Sequence, residues 1–430
     1  MKSFNNKNFY NNEIIIFLIF YLTILIGFFF NEDSLGGARH DFSFHFEISK
    51  NFNENFFLTF LNFTNIENFL PTRNSPVFWS IFSILNKIFN LDILRLINSL
   101  VSILIAIYFF KCLELKFKHQ KKIVLILLSS AIFLSPTIRS LSIWPYSLIW
   151  GLLFFILSIY NFLKFKEGEN LKIKFNLSVK FLTFLILSSY IHPSFGIFII
   201  FFSIYLYEEF KITKFSIYLI LYCFVLSIPF LYYIYSINLL NSFRYSQGLE
   251  VSFLESFNIS NKIIIISTMF IYFIFPILNI KQTIFEIKND NIKSLLIVFT
   301  FCFLNIYFFD FPYFEKGGFG GGFFHKLSNI MFNNNFLLYF IFILSLVIIR
   351  KISINNKYNY ILLIILVMSN PQFTIYNKYF DPLIFILFFT LFEFDTKKHF
   401  FEKKFKFVQL YLVLLAYLTM SIVKSYLFAI

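Results

Sequence analysis

The segment that follows the first apolar stretch contains the densest cluster of ionisable side chains suited to catalysis. In chain order these are Glu32, Asp33, Arg39, His40, Asp41, His45 and Glu47. Asp41 and His45 are four residues apart, so a helix would place both on one face. A carboxylate held there could take a proton from an acceptor hydroxyl. We therefore predict Asp41 as a catalytic base, with Asp33 as the second candidate; the alternative is a solvated loop of mutually neutralising charges.

The composition indicates a membrane protein. The 430 residues are 58% hydrophobic and only 14% charged, and their mean hydropathy is +0.73. Apolar runs approach the length that crosses a bilayer. The 71 Phe residues are typical of an AT-rich genome and favour a bacterial origin. The net charge of +14 is explained by basic loops at a membrane face, so we predict no nucleic-acid partner.

Hydropathy predicts an all-α, polytopic bundle of about 11–13 spans in one integral membrane domain covering residues 1–430. The predicted spans are 14–30, 93–110, 123–135, 146–163, 181–192, 194–207, 215–235, 263–280, 294–309, 336–349, 359–370, 382–394 and 407–428. Residues 31–92 are predicted to be an outer loop with interfacial helices, one of them at 76–90. Residues 310–335 are predicted to be a second, glycine-rich outer loop.

The distribution of basic residues predicts the orientation. Of 37 Lys and Arg residues, 25 fall in seven short segments, on one side of every predicted crossing. These segments are 1–13, 111–122, 164–180, 208–214, 281–293, 350–358 and 395–406. The positive-inside rule therefore predicts a cytoplasmic N-terminus in a bacterial inner membrane. The candidate catalytic residues then lie on the outer face.

The order of these elements resembles the GT-C glycosyltransferases, which use polyprenyl-phosphate-linked sugars. One span, an outer loop with an acidic motif, and then many spans is the arrangement of that superfamily. Locally, Asp41-x-x-Phe44-His45 and Asn74-Ser75-Pro76 are similar to two motifs of dolichyl-phosphoglucose glucosyltransferases. The first motif's aspartate is the proposed base there and matches Asp41. Phe42 stands where that family has glutamate, and the second motif lacks its last proline.

The resemblance also implies a basic residue near the lipid phosphate, late in the chain. Lys378, in the segment 370–382, matches that position as a compact cation. The alternative is a Tyr/Lys belt that anchors the chain at the membrane interface. Further candidates for binding the lipid phosphate or the substrate are Arg39, His40, His45, Arg73, Arg139, His325 and Lys326. Arg139 has no acid close by in sequence, so we expect it either to pair with an anionic lipid headgroup or to extend to the membrane interface.

The predicted function is an inverting transfer of a sugar from a polyprenyl-phosphate donor to a glycan, lipid or protein. No cofactor is expected. The resemblance implies no metal either, although Glu32, Asp33 and Asp41 have ligands suited to a divalent ion. Two alternatives remain: an O-antigen-type polysaccharide polymerase and a flippase or transporter for lipid-linked glycans. The first favours large outer loops with paired arginines, and the second favours charges in mid-span and repeated halves.

Overall fold

A computed structural model describes residues 7–62, 75–236, 245–246, 249–250, 258–313, 320–353, 356–394 and 405–427. These residues are mostly helical, as predicted. One antiparallel pair of two-residue strands, Tyr245–Ser246 and Leu249–Glu250, is present among them. The chain divides into two compact units, Met1–Ile237 with Leu414–Ile430, and Asn238–Val413. The single integral membrane domain expected from hydropathy stays a prediction.

The first unit contains eleven helices and part of a twelfth among its described residues. They are α1 Lys7–Phe29, α2 Ala38–Glu54, α3 Phe56–Asn62, α4 Pro76–Asn86, α5 Leu91–Lys116, α6 Lys122–Ser130, α7 Pro136–Ile143, α8 Ser147–Glu167, α9 Leu171–Ile191, α10 Ile199–Phe210 and α11 Lys214–Ser236. Short 3-10 helices at Ala131–Leu134 and Pro193–Phe198 connect α6 to α7 and α9 to α10. The interior of the unit is formed where α5, α8 and α9 pack together.

The second unit is built in the same way. Its helices are α12 Ile259–Ile274, α13 Ile280–Lys288, α14 Ile292–Tyr307, α15 Gly322–Phe332, α16 Phe336–Ser353, α17 Lys357–Met368 and α18 Leu383–Thr390, with 3-10 helices at Phe275–Ile277 and Asn377–Tyr379. The last helix, α19 Phe405–Leu427, begins in this unit and ends in the first. A core of Ile264, Cys302, Leu338 and Phe342 joins α12, α14 and α16.

Seven helices of the described chain are long and apolar enough to cross a membrane. The number of spans rises to nine if each of two bent helix pairs forms one further span. The chain is thus compatible with a multi-pass membrane protein. In α11 only 6% of the apolar window is buried, so this helix presents apolar side chains outward, as a lipid-facing helix does. The predicted thirteen spans included 359–370 and 382–394, where the helices have only 12 and 8 residues. Neither reaches the ~30 Å of a hydrocarbon core at ~1.5 Å per residue.

Two predicted boundaries also differ. The span expected at 123–135 continues past Pro136 into α7, with a 65° bend at the break. Proline removes a backbone donor, and Ser135 caps the new helix by accepting from the Ile138 N–H. Residues 281–293, predicted as a loop, contain α13 and a 108° turn into α14. In the predicted outer loop 310–335, residues 322–332 form α15.

Candidate functional site

The segment between α1 and α2 is fixed by a buried ion pair. Glu32 is 6% exposed, and its carboxylate accepts two hydrogen bonds from Arg139, at 2.7 Å from Nε and 2.5 Å from Nη2. Arg139 also donates to the side chain and carbonyl of Thr23 near the end of α1, both at 2.9 Å. The Trp144 indole N–H donates to the Glu32 carbonyl at 3.1 Å. α7 and the residue after it thereby hold the start of the loop.

This pairing changes the interpretation of Arg139. The sequence has no acid near it, which predicts either a lipid headgroup as its counter-ion or a side chain that extends to the membrane interface. Glu32, 107 positions away, is that counter-ion in the structure. Because every guanidinium nitrogen already donates to Glu32 or Thr23, the buried Arg139 side chain holds α1 against α7. The correction comes from tertiary contact, which the sequence does not display.

Asp33 shapes the turn that precedes α2. Its two carboxylate oxygens accept from four backbone N–H groups, those of Gly36, Gly37, Ala38 and Arg39, at 2.9–3.2 Å. The N–H groups in the first turn of a helix lack intrahelical partners, and this carboxylate satisfies several of them. The turn needs positive φ angles of 74° and 140° at Gly36 and Gly37. Asp33, the second candidate base, thus has an evident structural function.

Asp41 lies half-buried in the first turn of α2, so the four-residue spacing to His45 falls on a helix. His45, one turn later, is 7% exposed, and its Nδ1 lies 2.7 Å from the Asp41 carbonyl oxygen. The His45 ring stacks on Trp79 of α4, with centroids 5.2 Å apart, and meets Tyr146 edge-on at 5.7 Å. His45 therefore fixes the face of α2 that carries Asp41. His40 is exposed.

Arg95 is a buried cation that the sequence interpretation left inside a predicted span. It is 7% exposed, donates to Asn31 Oδ1 at 2.9 Å and to the Ile143 carbonyl at 3.2 Å, and lies over the Trp144 ring at 4.0 Å. Arg39, which is exposed, lies over the same ring at 5.4 Å. Asp92 is the acid beside Arg95, at 3.4 Å, and is 80% exposed. The signal in the sequence was the charge itself, since an arginine within an apolar helix usually has a function.

In the second unit, the glycine-rich segment and the Lys378 segment meet. Gly320 forms a parallel bridge with Ile375, and the Gly321 N–H donates to the Ile375 carbonyl at 2.9 Å. A Cβ on Gly320 would lie 2.2 Å from that carbonyl oxygen, so only glycine fits. Lys378 follows Ile375 by three residues and is half-buried. Its Nζ lies 5.4 Å and 5.5 Å from the ring centroids of Tyr376 and Tyr379. This close approach was not predicted from the sequence.

His325 lies directly beside the glycine turn. It is 1% exposed, among the rings of Phe309, Phe311 and Tyr313 at 5.4–6.0 Å, and neither ring nitrogen has a hydrogen-bond partner among the described residues. Burial, reinforced by the charge of Lys326, lowers the pKa of His325 to about 4. The imidazole is therefore neutral near pH 7. Lys326 is half-buried, and Arg73 lies outside the described residues.

The described residues contain no group of three or more His, Cys, Asp and Glu side chains able to hold a metal ion. The first unit thus has a half-buried carboxylate, that of Asp41, at the start of α2. The second unit has a half-buried lysine, Lys378, in the segment that meets the glycine turn.

Comparison of the chain with family models, curated proteins and solved structures finds no match.

Proposed function

We propose that this chain is a multi-pass glycosyltransferase of the GT-C type that transfers a sugar from a polyprenyl phosphate with inversion. The observation that carries the proposal is the setting of Asp41. It lies half-buried in the first turn of α2, soon after the first apolar helix. Asp33 and the Glu32–Arg139 pair make the preceding turn rigid. Catalytic groups need such rigid support to hold a productive geometry.

The proposed reaction is a single displacement on the outer face of the bacterial inner membrane, with the N-terminus in the cytoplasm. The acceptor hydroxyl, on a glycan, lipid or protein, loses its proton to Asp41 as its oxygen attacks the anomeric carbon. The bond from that carbon to the phosphate oxygen breaks, and the polyprenyl phosphate leaves with the bonding electrons. Attack opposite the leaving group inverts the configuration. In the first unit the exposed Arg39 supplies a cation for the donor phosphate; Lys378 and Lys326 of the second unit are separate candidates for that role.

The decisive test is transfer from a radiolabelled polyprenyl-phosphate sugar by the purified full-length chain. We expect Asp41→Asn to lower kcat by about 10²–10⁴-fold, the usual contribution of a general base. Glu47→Gln is the matched control, because Glu47 is an exposed carboxylate of the same helix. Wild-type activity in Asp41→Asn would refute the assigned base. Absence of transfer by the wild-type chain with any donor would refute the transferase and favour a transporter.

A second variant tests the donor site separately. Lys378→Ala should raise the KM for the donor more than it lowers kcat, because a phosphate contact is made before and during transfer. Lys357→Ala is the matched control: Lys357 also lies over a tyrosine ring, 5.2 Å from Tyr358, in a segment predicted to be cytoplasmic. An unchanged donor KM in Lys378→Ala would leave this lysine as an interfacial anchor.

A further inference from the structure

A cavity of about 580 Å³ lies within the second unit, between α12, α14, α16 and α17. Its wall is almost entirely apolar and includes Ile263, Phe270, Val298, Leu346, Leu363 and Met368. This volume is within the range of about 300–1,000 Å³ that is typical of ligand pockets. Ile297 and Ile364, which also line the cavity, are 70% and 63% exposed. The cavity is therefore open at the protein surface beside these two exposed apolar side chains, where a lipid chain can enter.

The polar part of the cavity wall carries positive charge. Arg350 is the one charged side chain among the described residues that line it, and the hydroxyl-bearing Ser294 and Tyr360 line it too. Arg350 Nη1 lies 2.7 Å from Asp290 Oδ2, and Lys351 Nζ lies 3.0 Å from the same oxygen. Two cations thus share one carboxylate, which leaves a net charge of +1 on the three side chains.

Asp290 itself stays ionised. Burial opposes its charge, but hydrogen bonds from Lys351 and Arg350 outweigh that effect and lower the pKa of the carboxyl. The surrounding segments reinforce the positive potential, since 281–293 and 350–358 contain six basic and two acidic residues. An apolar cavity with Arg350 in its wall and Lys351 next to it in the chain is complementary to a lipid that has an anionic headgroup.

We propose that this cavity is a specific site for an anionic glycerophospholipid. One fatty-acyl chain occupies the apolar chamber, and the phosphate lies against Arg350 and Lys351. Both basic segments are predicted to be cytoplasmic, the face opposite to the proposed donor chemistry, and a single acyl chain suits the volume better than a long polyprenyl chain. The inference does not depend on the transferase proposal.

The test is lipid binding by the full-length chain, purified in neutral detergent and stripped of lipid. Native mass spectrometry would compare phosphatidylglycerol with phosphatidylcholine of identical acyl chains. We expect one phosphatidylglycerol retained per chain, bound several-fold more tightly than phosphatidylcholine. Lys351→Gln, which keeps the Arg350–Asp290 pair, should weaken phosphatidylglycerol about five-fold, the equivalent of about 1 kcal/mol per basic residue. Lys118→Gln, which removes a cation paired with Glu167 in the first unit, should have no effect.

A second pair of variants tests the chamber. Ser267→Phe places a ring on the cavity wall and should weaken the binding of both lipids. Ile284→Phe changes a half-exposed position that does not line the cavity and should leave the binding of both lipids unchanged. Equal affinity for the two phospholipids, or binding indifferent to both Lys351→Gln and Ser267→Phe, would overturn the proposal. Displacement of phosphatidylglycerol by polyprenyl phosphate at a lower concentration would overturn the choice of occupant.

Discussion

At the scale of single residues, the buried pair of Glu32 and Arg139 shows how charge is used in this chain. Each side chain is about 8% exposed, and the carboxylate and guanidinium meet through two hydrogen bonds. Such a pair contributes little beyond the cost of removing both charges from water. Removal of one partner, by contrast, leaves the other charged, buried and unpaired. The pair therefore specifies where the first loop starts.

Arg139→Gln and Glu32→Gln should each lower the free energy of unfolding by about 3–5 kcal/mol, the cost of breaking a buried pair. The double variant should lose less than the sum of the two. Denaturant unfolding in detergent measures this, with Lys50→Gln as the control. Lys50 pairs with Glu47 at a half-exposed site and should contribute at most about 1 kcal/mol. If Arg139→Gln kept full stability and lost donor affinity instead, the phosphate-binding role expected from the sequence would be correct.

His325 makes the stability depend on pH. Its pKa is lowered from 6.5 to about 4 by burial, assisted by Lys326. Between these values the unfolded chain binds a proton that the folded chain does not, so stability falls as pH decreases. We expect the contribution of His325 to the unfolding midpoint to be constant above pH 6.5. Below that value the midpoint should decline as the pH falls towards 4. His325→Phe should flatten that decline; an equal slope in both proteins would contradict this explanation.

At the scale of elements, positive-φ glycines fix the turns that lead into helices. Gly320 has a φ of 91°, and its Cα faces the Ile375 carbonyl closely enough to exclude a side chain. The turn it forms leads into α15, which carries His325 and Lys326. The bridge to Ile375 sets the distance between α15 and the Lys378 segment. Both requirements act through the backbone and neither depends on side-chain chemistry.

Gly320→Ala should therefore destabilise the second unit by about 1–3 kcal/mol, because it combines a disfavoured φ with a steric clash. Gly196→Ala is the matched control. Gly196 does not have a positive φ angle. A Cβ added there would lie 3.4 Å from its nearest atom, which is an ordinary van der Waals distance. Thermal unfolding of the two variants measures the difference. Equal midpoints would show that the loop relaxes at no cost and that the Gly320–Ile375 bridge is unimportant.

At the scale of the whole molecule, the basic residues predict which ends of the helices face the cytoplasm. A background without Cys112, Cys223 and Cys302 allows single cysteines to report accessibility in intact cells. Ser43→Cys, at an exposed position of α2, should react with a membrane-impermeant maleimide from outside. Glu169→Cys, exposed between α8 and α9, should react only after permeabilisation. The opposite pattern would reverse the orientation and exclude outer-face chemistry at Asp41.

The described residues confirm the helical class and are compatible with a multi-pass membrane protein, because both expectations follow from local hydropathy. Helices were predicted within the loop 31–92, and the structure has one at 38–54 that carries Asp41 and His45 four residues apart. Span number was predicted less well. Apolar content alone does not show that α17 and α18 stop after 12 and 8 residues, or that Pro136 divides a span.

Sequence alone determined what is local: apolar length, helical spacing, the sign of charge at each segment and the presence of a carboxylate after the first span. Tertiary structure decided the partners. Glu32 for Arg139, Trp79 for His45, Ile375 for Gly320 and Asp290 for Lys351 are each separated by many positions. A buried charge or a closely approached backbone needs one particular neighbour. Which neighbour meets that need depends on how helices distant in sequence pack together.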